Sequence, residues 1–157
     1  MRALPLIIAV LVSPCMATQT NAASEDACER VFATVDLNSD GSLDAAEGLR
    51  YFAAMRVKGK PLTTDKLTKA AFIELCKADI FAKAKPDGDT PKEGLGDFTE
   101  TDIRDRILAE GFTEVSSLKQ DDKGIWRGTA VWRSRRIGVA VDYTGSVFGE
   151  WGNLARQ

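Results

Sequence analysis

Oxygen-bearing residues occupy every second position from 36 to 44: Asp36, Asn38, Asp40, Ser42 and Asp44. Glu47 follows three residues later, and Gly41 sits among them. The set offers oxygen and no sulfur or imidazole nitrogen, which suits a hard cation. Calcium, which takes about six to eight oxygen ligands, is the best match. Asp36, Asn38 and Asp40 would supply side-chain oxygens, and Ser42 its backbone carbonyl. Asp44 would act directly or through water, and Glu47 with both carboxylate oxygens. Gly41 supplies the sharp turn at low steric cost. Asp36, Asp40, Asp44 and Glu47 bring four negative charges together, which repel one another unless a cation or hydrogen bonds compensate them.

The elements that must hold such a loop are legible on either side. Ser24 can cap a helix, with Glu25 and Asp26 favourably placed in its first turn. That helix is expected to run to Val35. Its apolar face holds Ala27, Val31 and Val35, widened by Cys28 and Phe32. An exit helix is expected from Ala45 onward, carrying Leu49, Phe52, Ala53 and Arg56, and stopped by Lys58–Gly59–Lys60–Pro61. Leu43 interrupts the polar run. Its side chain should enter a core while its backbone pairs with a neighbouring loop.

The stretch Asp36–Glu47, set between two helices, resembles the EF-hand family at every ligand position. The resemblance implies a calcium site at Asp36, Asn38, Asp40, Ser42, Asp44 and Glu47, and a second, paired unit. For that unit Phe98 can stand at the apolar strand position and Asp102 at the final ligand position. Pro91, Glu93 and Leu95 then fall where ligands belong, and Gly96 falls at the turn. Two readings follow. Either this is a metal-free partner loop, or an insertion lets Asp87 and Asp89 join a non-standard site.

A third helix is expected from Asp65 to about Lys83, apolar on more than one side. A fourth follows Thr99, which can cap it with Asp102 three residues on. Gly111 ends it. Beyond Gly111 the apolar period shortens toward two. Strands are expected at 112–118 and 125–133, with Trp126, Ala130 and Trp132 on one face. Arg135–Arg136 would form a tight connection. Ile137, Val139, Val141 and Tyr143 would share one face of the next strand, before a turn at Thr144–Gly145–Ser146. Trp151 and Leu154 could close an edge. This tail, from about Thr101 to Phe148, is similar to PepSY-like modules of exported bacterial proteins. The similarity rests on Gly111–Val115, Gly124–Arg127 and Val139–Val147. It implies association with peptidases or their inhibition for some members, and carries no catalytic set.

The fold expected is α+β: a helical EF-hand-like pair over 25–110, then a small antiparallel sheet over 111–157 packed on a helix at 99–110 that both parts share. Residues 1–17 read as a signal peptide, with an early Arg2, an apolar run from Ala3 to Ser13 and small residues before Thr18. Residues 18–24 read as a flexible mature N-terminus. Export would let Cys28 and Cys76 form a disulfide stapling the first and third helices.

The chain of 157 residues is 44% hydrophobic and 28% charged, a globular balance. Residues 18–110 carry a net charge of -5 and residues 111–157 a net +2. The basic excess is too small to argue for nucleic acid. The sequence has no histidine, which excludes histidine triads, histidine zinc sites and histidine acid–base catalysis. The function expected is an exported, periplasmic or secreted, calcium-binding protein. Its role would be structural or partner-binding rather than enzymatic, toward an envelope or extracellular protein, with no stable membrane insertion once the leader is removed. The alternative is a peptidase-regulating or envelope-interaction module in which calcium only stabilises the fold.

Overall fold

A computed structural model describes residues 23–83 and 90–150. The leader at 1–17, most of the expected flexible N-terminus, Asp87, Asp89, Trp151 and Leu154 lie outside the described residues. The architecture is α+β. Among the described residues, four helices pack against two small antiparallel sheets, one of two strands and one of four.

Helix α1 spans Glu25–Val35. Ser24 caps it as expected, its hydroxyl accepting from the Ala27 N–H at 3.3 Å. The buried face centres on Cys28 and Phe32, while Val31 is 40% exposed. The stripe is thus rotated from the Ala27–Val31–Val35 line. The reason is the disulfide: Cys28 is bonded to Cys76 of helix α3, and the bond turns the Cys28 side toward the core.

Strand β1, Ser42–Leu43, pairs antiparallel with β2, Leu67–Thr68. Leu43 faces Leu67, and both are fully buried. This pairing corrects two expectations. The partner of the loop is the segment around Leu67, not the one around Phe98. Helix α3 starts at Lys69 rather than Asp65, because Leu67 and Thr68 are committed to the sheet. Thr68 then caps α3, accepting from the Ala71 N–H at 3.4 Å. Helix α3 ends at Lys77, well before Lys83, and Phe72 is its buried residue. Its surface is therefore less covered than the run of apolar residues implied.

Helix α2 spans Leu49–Val57, so it starts four residues later than the expected Ala45. Residues 45–48 form a turn instead, because the Asp44 carboxylate holds the Ala46 and Glu47 N–H groups at 2.8 and 3.1 Å. Phe32, Tyr51, Phe72 and Phe81 stack edge to face or offset, with ring centroids 4.9 to 5.3 Å apart, and form the first core with Leu43, Met55 and Leu67.

Helix α4 spans Glu100–Ala109. Thr99 and Asp102 form the expected reciprocal cap: the Thr99 hydroxyl accepts from the Asp102 N–H, and the Asp102 carboxylate accepts from the Thr99 N–H. Ile103 and Ile107 are fully buried in a second core with Phe112, Leu118, Ala130, Val139 and Val141. The opposite side of α4 meets α2. Arg56 donates to both Asp105 oxygens at 2.7 Å, and Arg50 donates to the carbonyls of Ala109 and Phe81 at 3.0 and 2.9 Å. One helix therefore joins the two cores.

The larger sheet has the order β3-β4-β5-β6: Lys119–Gln120, Trp126–Trp132, Arg135–Val141 and Val147–Glu150. Ala130 is buried, and Trp126 and Trp132 pack partly buried against the same core, as the alternation required. Val139 and Val141 are buried, whereas Tyr143 lies beyond the strand and is 41% exposed. Residues 112–118 are not a continuous strand; Thr113 makes one bridge to Val131 and the strand falls at Lys119–Gln120. Arg133 and Ser134 form the hairpin turn, both with positive φ (48° and 64°), so Arg135–Arg136 belong to β5.

Candidate functional site

The loop Asp36–Glu47 joins the end of α1 to the turn that leads into α2. Two residues of its backbone are left-handed. Gly41 has φ 79°, a left-handed conformation, and Ser39 has φ 57°. Strand β1 passes through the loop, and Leu43 anchors it from below at 0% exposure. The Lys69 N–H donates to the Gly41 carbonyl at 3.0 Å and ties the turn to the start of α3.

The side chains bind the loop's own N–H groups. Asp36 accepts through Oδ1 from Asp40 at 3.2 Å and through Oδ2 from Gly41 at 3.0 Å. Asn38 Oδ1 accepts from Asp40 at 2.8 Å. Asp40 Oδ1 accepts from both the N–H and the hydroxyl of Ser42 at 2.8 Å. Glu47 reaches back across the loop. Its Oε1 accepts from Leu37 at 2.9 Å and from Asn38 at 3.1 Å. All six expected residues therefore lie in one loop, and Glu47 closes its ends. Among the described residues, no group of three or more acidic or cysteine side chains converges tightly enough to hold a metal. The loop carboxylates are spread over N–H groups rather than gathered on one point.

The donor chemistry still fits a hard divalent cation: oxygen atoms on a closed, half-exposed loop with a left-handed glycine at the turn. Asp36, Asn38, Asp40, Asp44 and Glu47 would hold it with side chains and Ser42 with its carbonyl. The Asp40 carboxyl is held below the usual carboxylate range, first by the Ser42 hydroxyl, then by the Ser42 N–H, with a further contribution from Lys66. Lys66 stands 3.3 Å from Asp40 Oδ2. Sequence reasoning missed it, since the ion pair depends on the pairing of β2 with β1.

The partner segment differs chemically from the loop. Aligned on Leu67 opposite Leu43, the residues in the corresponding ligand places are Lys60, Leu62, Thr64, Lys66, Thr68 and Ala71. None carries a carboxylate. Asp102, expected at a final ligand position, is occupied in capping α4, and its carboxyl is lowered by the Thr99 hydroxyl and then the Thr99 N–H. Among the described residues no helix is long and apolar enough to cross a membrane. No protein-family model matches the chain, and no curated protein or solved structure matches it.

Proposed function

We propose that the protein is an exported, EF-hand-like calcium-binding protein with a structural or partner-binding role rather than an enzymatic one. The observation that carries this reading is the closure of the loop by Glu47, whose carboxylate accepts N–H groups from Leu37 and Asn38 at the far end. A cation held there would tie the end of α1 to the entry of α2. Binding exchanges N–H bonds for ion–oxygen contacts, and Lys66 competes for Asp40, so modest affinity is expected. That suits a compartment where calcium is plentiful. The segment paired with the loop through Leu67 carries no carboxylate in its ligand places, which favours a fixed clamp over a large opening motion.

Export is supported by the Cys28–Cys76 disulfide, a bond that persists in oxidising compartments such as the periplasm or the cell exterior. The PepSY-like reading of the tail is supported by the order of α4 followed by the antiparallel hairpin β4–β5. Thermal unfolding tests the central reading. Calcium should raise the midpoint relative to a chelator, and Glu47→Gln should remove most of the rise. An unchanged wild-type midpoint would sink it.

A further inference from the structure

Arg106 lies on α4 away from the loop, and nothing in the calcium reading uses it. Its guanidinium lies over the Phe98 ring, with Cζ 4.2 Å from the centroid. Gly145 presses on it as well. A Cβ at position 145 would stand 2.7 Å from Nη1 and 2.8 Å from Cζ. The aromatic ring and the glycine hold the guanidinium in a fixed place, as a planar group stacked on an aromatic face can be. Its Nε is shielded from solvent and has no hydrogen-bond partner among the described residues.

Two of the neighbouring acids are engaged elsewhere. Asp105 is held by Arg56, and Asp102 Oδ2 accepts from the Thr99 N–H and hydroxyl at 2.9 and 2.7 Å. Arg106 loses solvation without gaining an ion pair among the described residues. Its pKa is drawn down by burial, and Asp102 offsets this only in part. A half-buried arginine of this kind is costly unless it meets an anion.

The same side chain lines a groove of 590 Å³ between α2 and α4. The groove is within the size range of small-ligand sites; Val57, Pro61 and Phe98 supply apolar walls, and the paired Arg56 and Asp105 and the capping Asp102 line it as well. We propose that this groove is a carboxylate-binding site, in which Arg106 engages the carboxylate and the apolar walls take an adjoining hydrophobic group. A planar carboxylate matches the donor fork of a guanidinium, and the apolar lining matches a chain-terminal carboxylate following a hydrophobic residue, or a free hydrophobic carboxylic acid.

Amide NMR of the isotope-labelled protein tests the site with three probes: acetyl-alanyl-phenylalanine, its C-terminal amide, and free hydrocinnamate. The expected result is saturable shifts at Phe98, Thr101 and Arg106 with the acids, and none with the amide. Tighter binding of the peptide acid than of hydrocinnamate assigns the ligand as a peptide terminus; the reverse order assigns a free acid. Arg106→Gln should weaken the better acid by about tenfold or more. Arg106→Lys, which keeps the charge and loses the planar fork, should bind between the two and serves if the glutamine variant does not fold. Shifts that do not saturate with either acid, equal response to the amide, or binding by Arg106→Lys equal to wild type would overturn the proposal.

Discussion

Removing the Cys28–Cys76 bond is the perturbation whose size follows most simply from the structure. The bond spans a sequence separation of 48 and ties α1 to α3 across the first core. A closed loop of that length removes chain entropy worth about 4 kcal/mol from the unfolded state near room temperature. Domains of this size are stable by only about 5–15 kcal/mol, so the bond carries a large share. The double variant Cys28→Ala/Cys76→Ala avoids a lone thiol and changes little volume. Urea unfolding followed by tryptophan fluorescence, at one fixed calcium concentration, gives the comparison, because a bound cation would itself shift stability. The expected loss is about 4 kcal/mol, with a larger urea slope as the unfolded chain expands. Reducing agent should produce a similar fall in the wild type. A loss below about 1 kcal/mol in both experiments would refute the entropic reasoning.

Further expectations concern the elements around the site. Leu43→Ala deletes a fully buried side chain facing Leu67, and should cost about 2–5 kcal/mol by urea unfolding. Asp102 has a depressed folded-state pKa, so its cap contributes stability above the ordinary carboxylate range and loses it as pH falls through the lower folded value. Thr99→Ala should therefore raise the Asp102 midpoint in a carboxyl NMR titration and flatten the acid limb of the stability curve. Arg133 and Ser134 both adopt left-handed conformations in the hairpin turn, a geometry that Asn-Gly adopts with less strain. Arg133→Asn/Ser134→Gly should raise stability by about 1–2 kcal/mol, read by the urea midpoint.

The local signals in the sequence carried through where the physics was local. Ser24 and Thr99 cap their helices, because capping needs only a hydroxyl and the next few N–H groups. The alternation at Trp126, Ala130 and Trp132 placed them against one core, because a strand's period is set by its backbone. Failures came where distant segments decide. Leu67 reads as one more apolar residue on a helical stripe until β1 claims it. Val31 reads as core until the disulfide fixes the angle of α1. The turn at Gly41 and the helices flanking Asp36–Glu47 were legible from spacing, whereas Lys66 beside Asp40 needed the strand pairing to appear. Arg106 reads as an ordinary charged helix position, since the burial that isolates it comes from Phe98 and Gly145.

Calorimetric titration of the protein with calcium tests the central claim most directly. One calcium ion per chain is expected, because Asp36–Glu47 carries the carboxylates and the segment opposite it, aligned on Leu67, carries none in the ligand places. Glu47→Gln should abolish or strongly weaken that binding while the chain stays folded. No calcium heat in the wild type, or identical titrations for wild type and Glu47→Gln, would contradict the assignment.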